Sequence, residues 1–288
     1  MSKQVEQEEL YSDETAIPAR TNYKLYALGR WGDAFTNFTS TFYPDTGDMR
    51  LGDNLVAYSS PHKQWVFDEH IESATIASGI IDDGTFINRG DNGLILDFDN
   101  GRAILNSSFG MEKTTISGSY AVKDFNFYIT NQTEEQLIIE SKYDTNSRFK
   151  QELSGIDPYS QVVPAIFVNP ETAENEPFSF GGEDKTTTNI RCVVFAENTY
   201  QLDGALSVFA DSKNEVFSKV AFEDYPLSEY GDASGFNYKT LAESKVAPFF
   251  HIEQVRTSKL SDRVNKNIDP SLFIGFIDFE VTNLRFPR

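Results

Sequence analysis

The segment LILDFDNGRAIL at residues 94–105 limits the possible folds more than any other part of the chain. In it, apolar residues alternate with Asp97 and Asp99 up to an Asn-Gly pair, and a second apolar run follows. Asn-Gly readily takes the positive φ angles of a two-residue type I′ turn, so the segment predicts a β-hairpin. We expect Asp97 and Asp99 at the solvated end of its first strand. An EF-hand calcium loop is excluded, because it needs Gly at its sixth position and Glu at its twelfth, where this segment has Arg and Ser.

Short strand-like segments with turn signals between them lie on both sides of this hairpin. They include WVFDE at 65–69, TISGSYAVKDFNFYIT at 115–130 and EQLIIESKY at 135–143. Many short strands joined by turns are typical of a β-sandwich or a small barrel. We therefore predict a β-rich domain over residues 21–145, preceded by a flexible, acidic and polar arm at residues 1–20.

Longer strands are predicted after residue 145. VVPAIFV at 162–168 and IRCVVFAE at 190–197 are apolar runs typical of buried strands, and the second has the character of a central strand. FFHIEQVRTSKL at 249–260 and FIGFIDFEVTNLRF at 273–286 predict two further long strands near the end of the sequence.

Helical signals lie between these strands. Asn198 can cap a helix with Gln201 as its capping-box partner, and apolar residues recur at helical spacing from residue 202 to residue 220. TNSRFKQELSG at 145–155 predicts a second, short helix. The predicted fold class is α+β and mostly β, with an N-terminal β-rich sandwich or barrel-like portion. Residues 146–288 then form an α+β domain, an antiparallel sheet with one or two helices.

The charge of the chain is strongly negative: 44 Asp and Glu residues stand against 25 Lys and Arg residues, a formal net charge of −19. The sequence has no Lys/Arg cluster of the kind that nucleic-acid binders show, so we expect no sequence-specific binding to DNA or RNA. No apolar run approaches the roughly 18 residues of a membrane-spanning helix, and the N-terminus lacks the pattern of a signal peptide. We expect that the protein does not contact a membrane. We also expect that it is made and kept in a reducing cell interior, or assembled into something that is built there.

Residue types that carry out catalysis are few. Cys192 is the single cysteine and is predicted to be a buried apolar side chain rather than a nucleophile. His and Glu stand two residues apart at His70 and Glu72 and at His251 and Glu253, which places each pair on one face of a strand. A zinc deaminase with His-x-Glu would need further cysteines. We predict no catalytic residue, no cofactor and no bound metal, in a protein that is not an enzyme.

Several segments resemble structural proteins of tailed bacteriophages. They are INRGDNGLILDFDNGRAILNSS, ISGSYAVKDFNFYITN, YSQVVPAIFVNP, ENEPFSFGGED, IRCVVFAENTYQLDGALSVFAD and FIGFIDFEVTNLRFPR, which together span roughly residues 80–288. The order of elements resembles the tail-terminator family of the head–tail neck. The resemblance implies a virion subunit, assembled in the host cytoplasm, that forms a ring, usually six-fold. The ring would end the tail and contact other neck, tail-tube or sheath proteins. The N-terminal β-rich portion departs from a minimal terminator.

Two other functions remain open from the sequence. One is a different virion component, such as a baseplate or adaptor protein. The other is a β-sandwich module that binds a receptor or a carbohydrate. A receptor-binding protein is expected to be trimeric, whereas a neck protein is expected to form a ring of higher order with a channel.

The last residues of the sequence are the predicted contact with a neighbouring subunit. Arg285 and Arg288 are basic residues at the end of an acidic chain, and Pro287 prevents further pairing of the last strand. We expect the arginines to meet the acidic surface of the next copy, with Phe286 as an apolar anchor between them.

Overall fold

Two β-sheets form the framework of the described part of the chain, and the predicted class, α+β and mostly β, is confirmed. The computed structural model describes residues 35–45, 48–110, 115–140, 144–145, 161–178, 182–218, 220, 224–233, 235–244, 249–261 and 272–285. The flexible N-terminal segment predicted at residues 1–20 and nearly all of the short helix predicted at 145–155 lie outside these residues. Within them, no helix has both the length and the apolar character needed to cross a membrane.

Seven strands form the first sheet. They are β1 (Phe35–Asp45), β2 (Leu55–Ser59), β3 (Gly79–Asp82), β4 (Thr85–Asn88), β5 (Ile95–Asp97), β6 (Arg102–Asn106) and β7 (Ile116–Lys123). Their order is β4-β3-β7-β1-β2-β6-β5, and neighbouring strands are antiparallel. β1 turns the corner of the sheet, because its first eight residues pair with β7 and its last three pair with β2.

Residues 64–66 close this sheet into a barrel. The amides of Gln64 and Trp65 donate hydrogen bonds to the loop after β5 at 3.0 and 2.8 Å, and the amide of Val66 donates to β7 at 2.8 Å. This short stretch therefore fills the gap between β5 and β7. The predicted strand at residues 65–69 is thus reduced to a bridge, and the barrel-like architecture predicted for this portion is observed.

An aromatic stack fills the barrel. The buried Trp65 ring is stacked on the Tyr120 ring with centroids 4.5 Å apart. The rings of Phe98 and Phe42 meet the Trp65 ring at 6.0 and 5.6 Å. Each such pair contributes about 0.5–1.5 kcal/mol beyond the burial of its area. Part of the high aromatic content therefore stabilises the interior rather than a surface.

The hairpin predicted at residues 94–105 is present, but the predicted turn type is wrong. Asp97 lies opposite Arg102, which leaves a four-residue loop between β5 and β6. Gly101 takes a positive φ of 66°, but Asn100 does not belong to the positive-φ residues. The Asp97 carboxylate shapes this loop instead, because it accepts hydrogen bonds from the backbone and side-chain nitrogens of Asn100 at 3.0 and 2.8 Å.

Six further strands form the second sheet. They are β8 (Asn126–Ile129), β11 (Ala165–Pro177), β12 (Asp184–Ala196), β13 (Val216–Ser218), β14 (Phe249–Lys259) and β15 (Phe273–Arg285), while β9 (Asp144–Thr145) and β10 (Val162–Val163) form a separate parallel pair. The order is β13-β14-β15-β12-β11-β8, antiparallel except between β8 and β11. The long strands predicted after residue 145 are confirmed, and β12 is central as predicted.

The helices are short. The described ones are α1 (Ser107–Gly110), α2 (Thr199–Ala210) and α3 (Tyr238–Ser244), with a 3-10 turn at Asp91–Gly93 and a π turn at Gln136–Glu140. The Asn198 side chain caps α2 as predicted, accepting a hydrogen bond from the Gln201 amide at 2.9 Å. The prediction that this helix continues to residue 220 is wrong. Asn214 takes a positive φ of 70°, which is incompatible with a continuing helix, and β13 follows.

Both faces of the second sheet are covered along its central strands. On one face, α2 packs against β15 at Gly275, where a Cβ atom would lie 2.8 Å from a methyl carbon of Leu202. On the other face, the rings of Phe167 and Phe195 meet edge to face at 5.5 Å in a separate apolar cluster. The continuous apolar run of β12 follows from this double burial.

Two segments cross the predicted domain boundary at residue 145. β8, which precedes the boundary, is an outer strand of the second sheet. Residues 227–233 and 235–242, which follow it, pack on the barrel, where Phe236 and Tyr238 are buried. The Gln64 side chain also joins the two sheets, because its amide exchanges hydrogen bonds with the backbone of Phe127 at 2.8 and 2.7 Å. Each portion therefore contributes to the core of the other.

Gly101 provides a test of the packing around the hairpin loop. A Cβ atom at Gly101 would lie 1.9 Å from the carbonyl oxygen of His62, so Gly101→Ala adds a backbone clash to the strain of its positive φ. We expect Gly101→Ala to lower the free energy of unfolding by at least about 3 kcal/mol, measured by urea denaturation.

Gly84 is the matched control. It lies in the two-residue turn between β3 and β4, where Asp83 and Gly84 both have positive φ, 46° and 81°, and its added Cβ would meet no atom within 4 Å. Gly84→Ala should cost only the strain, about 1 kcal/mol. Equal losses in the two variants would contradict the close packing of the hairpin loop on residues 60–65.

Candidate functional site

The predicted C-terminal contact falls only partly within the described part of the chain. Arg285 is the last residue of β15 and lies opposite Asp184 of β12. Phe286 and Arg288 lie outside the described residues. A contact between these residues and a neighbouring subunit stays a prediction.

A buried ion cluster, here called the clamp, joins Arg102 to Asp45, Asp48 and Asp97. Nε of Arg102 lies 2.9 Å from Oδ2 of Asp97, and Nη1 lies 3.2 Å from Oδ2 of Asp45. Nη2 of Arg102 contacts Oδ2 of Asp48. The side chains of Arg102, Asp48 and Asp97 have no exposed surface, and only a small fraction of Asp45 is exposed.

Four pieces of the first sheet position the clamp. Asp45 ends β1, Asp48 lies in the following loop, Asp97 ends β5 and Arg102 begins β6. The pairing of β5 with β6 sets Asp97 directly opposite Arg102. Ser59 of β2 fixes Asp45 by donating a hydrogen bond from Oγ to Oδ2 at 2.7 Å. The clamp therefore forms only when the strand pairing is complete.

The electrostatics of the clamp are those of a structural ion cluster. Burial by itself lowers the pKa of Arg102, but hydrogen bonds and charges from Asp48 and Asp97 outweigh it, so that the pKa lies above its ordinary value. Arg50 supplies a second cation to Asp48 at 2.7 Å. Arg102 stays charged and has no proton available for transfer, and solutes do not reach its atoms. We assign the clamp to folding rather than to chemistry.

The clamp corrects the expected position of Asp97. Asp99 is exposed, as predicted for a solvated strand end, but Asp97 is fully buried. The difference arises because β5 ends at Asp97, and the loop that follows directs Asp99 away from the sheet. An Arg directly after a short hairpin loop, with an Asp at the other end of that loop, is the sequence signal that could have indicated the pair.

A second buried polar group lies beneath β1. The Tyr120 hydroxyl lies 3.0 Å from Nδ1 of His62 and 2.6 Å from Oγ of Ser40, and the His62 ring stacks on Phe38 at 4.1 Å. Burial raises the pKa of Tyr120, while hydrogen bonds from Ser40 and Ser60 act in the opposite direction. The polar atoms of this group satisfy one another inside the aromatic core. We assign them to packing.

The residues considered for chemistry in the sequence also have structural surroundings. Cys192 is fully buried in β12, and burial raises the pKa of its thiol far above the reactive range. Glu253 pairs with Lys185 at 2.6 Å, and this hydrogen bond lowers the pKa of Glu253. His70 lies in a turn instead of the predicted strand, because its amide donates to the Asp68 carboxylate at 2.9 Å. Within the described ranges, no group of three or more His, Cys, Asp or Glu residues is suited to hold a metal ion.

The outer part of the β11–β12 hairpin, called the arm, consists of residues 169–177 and 184–189. β11 is buried over its first four residues and exposed from residue 170 to residue 177. β8 pairs with β11 only at 165–168, and beyond this no described strand pairs with the same edge. At the tip, Phe178 exposes 56% of its surface. The arm is an exposed ladder with one open edge.

The arm is acidic. Glu171, Glu174 and Glu176 are exposed on β11, and none of them forms an ion pair with another described residue. Lys185, on the paired strand, makes its ion pair with Glu253 of β14. The open edge therefore presents backbone hydrogen-bonding groups together with uncompensated negative charge.

A groove of about 210 Å³ opens at the root of the arm. It is lined by Glu171, Asn189, Ile190, Gln254, Arg256, Asp278, Phe279 and Glu280. Three carboxylates and one guanidinium line it, so the groove extends the acidic character of the open edge onto the sheet. Together, the edge and the groove are the candidate functional site, which the sequence did not predict.

No protein-family model matches the chain, and no curated protein matches it.

Replacement of Arg102 tests the clamp. Arg102→Met leaves three carboxylates without their central cation in a site that water does not reach. We expect the free energy of unfolding to fall by about 3–5 kcal/mol in urea denaturation at pH 7. Arg50→Met is the control, because Arg50 binds one of the same carboxylates but exposes 46% of its side chain. Its cost should stay below about 1 kcal/mol. A loss for Arg102→Met as small as that for Arg50→Met would contradict the assigned role.

Proposed function

We propose that the chain is a non-catalytic structural subunit of a tailed-bacteriophage virion. In this role it forms a ring, six-fold by the family resemblance, at the head–tail neck, where it ends the tail and joins it to the head. The subunit is assembled into the particle in the host cytoplasm, and its neighbours are further copies of itself and other neck, tail-tube or sheath proteins.

The observation that carries the proposal is the arm. An exposed strand edge presents unpaired backbone groups that can pair with another chain. The arm keeps such an edge over residues 169–177. An exposed hairpin with an aromatic tip is well suited to reach an adjacent subunit, since aromatic side chains dominate the energetics of protein contacts.

The charge of the chain supports a position beside the DNA path. A net charge of −19 repels phosphates, so DNA passes such a ring without binding to its wall. The acidic arm and groove agree with this charge distribution. The sequence segments that resemble tailed-phage proteins select the neck among the virion positions that an arm of this kind would serve.

The non-catalytic part of the proposal is supported by the polar groups of the interior. Arg102 is held in the clamp, His62 in the aromatic core and Cys192 in the central strand. Each is satisfied or inert where it lies. In the described part of the chain, the arm offers exposed backbone groups and carboxylates for binding.

Phe178 tests the role of the arm in assembly. Virions are produced in cells in which Phe178→Ala is the only form of the chain. Compared with virions that contain the wild type, they should hold at least about fivefold less of the chain, because the tip loses its apolar anchor. The content of purified particles is measured by quantitative mass spectrometry. Phe86→Ala is the control, because Phe86 is similarly exposed, at 51%, but lies on β4 of the first sheet, whereas the arm belongs to the second sheet.

We expect both variants to keep the melting temperature of the wild type and Phe86→Ala to enter particles normally. If Phe178→Ala enters particles in normal amounts, the arm tip is not part of the assembly contact. Absence of the wild-type chain from purified virions would contradict the proposed function as a whole.

A further inference from the structure

We propose that the open edge of the arm pairs with a basic, extended segment of a different protein, which adds a strand to the second sheet beside β11. The inference rests on the proposed function in assigning the arm to a contact between proteins. It goes further by stating the chemistry and the conformation of the partner.

The geometry of the edge selects an extended partner. β8 ends its pairing with β11 at Val168, where the Thr130 amide donates to the Val168 carbonyl at 2.9 Å. An added strand can continue along the same line, beginning where β8 turns away. Pro170 and Pro177 lack an amide hydrogen and bound this edge. The β11–β12 register shifts between Pro170 and Thr172, at Glu171, which leaves residues 172–176 for regular pairing.

The charge of the edge selects a basic partner. Three glutamates lie among the six residues 171–176, and the stretch contains no basic residue. Glu174 and Glu176 are two residues apart and share one face of the strand. Side chains of adjacent strands lie about 4.5–5.5 Å apart, so a partner with Lys or Arg at alternate positions places its cations next to these two carboxylates. Glu171 and Glu280 also line the groove at the root of the arm and give a further basic side chain a place to bind, whereas Asp278 there already pairs with Arg191 at 2.5 Å.

The same charges argue against a second copy of the chain pairing at this edge. Two identical edges side by side would bring Glu171, Glu174 and Glu176 against the same residues of the other copy. Like charges directly opposite one another destabilise a strand pair. The occupant of the edge is therefore a segment of different composition.

A peptide of alternating Lys and Thr, ten residues long, is the probe. Titrated into the full chain, it should slow amide hydrogen exchange, measured by NMR, at every second residue between Glu171 and Glu176, because alternate N–H groups of β11 face the open edge. A peptide of alternating Glu and Thr should leave exchange unchanged. Binding of the Lys peptide should weaken as salt is added.

Two triple variants with equal charge change separate the edge from the general acidity of the chain. Glu171→Gln, Glu174→Gln and Glu176→Gln together should weaken binding of the Lys peptide by at least about tenfold. The control variant replaces three exposed acids elsewhere, namely Asp53→Asn, Glu229→Gln and Glu243→Gln, and should bind as the wild type does.

The inference is overturned if the Lys peptide protects no alternate amides in residues 171–176, if the Glu peptide does so equally, or if both triple variants bind alike. Such a result leaves the proposed function intact when the chain is still found in a neck ring. Protection of the edge by the Lys peptide in a chain that is absent from virions would instead support the inference and contradict the proposed function.

Discussion

The buried ion cluster at Arg102 is the interaction on which the rest of the structure depends. A charge removed from water costs several kcal/mol, which is regained only when every partner is in place. The three aspartates come from the end of β1, from its following loop and from the end of β5. The clamp thus fixes the corner of the barrel. Asp97 also touches the C-terminal half, because a Cβ atom at Gly231 would lie 2.1 Å from its carboxylate.

Local patterns predicted the elements that depend on neighbouring residues. The hairpin at 94–105, the cap at Asn198 and the long strands after residue 145 follow from alternation, capping and apolar runs. The clamp was not predicted, since Asp48 and Arg102 are 54 residues apart in the sequence. The arm was not predicted, because its exposed residues show no alternation of apolar and polar side chains, and strand pairing rather than burial holds it in shape.

The N-terminal and C-terminal portions of the chain share hydrogen bonds and apolar packing. The Gln64 amide pairs with Phe127 as a strand backbone would, and the aromatic residues Phe236 and Tyr238 close the barrel from the other half. The arm extends β11 and β12 beyond this shared core.

The central claim, that the chain is a ring subunit at the head–tail neck, is tested most directly by electron cryomicroscopy of intact virions in which the chain is labelled. The account predicts labelled density at the junction of head and tail, arranged as a closed ring around a channel, with six-fold symmetry. Labelled density at the tail tip in a trimeric spike, or no labelled density in the particle, would contradict it.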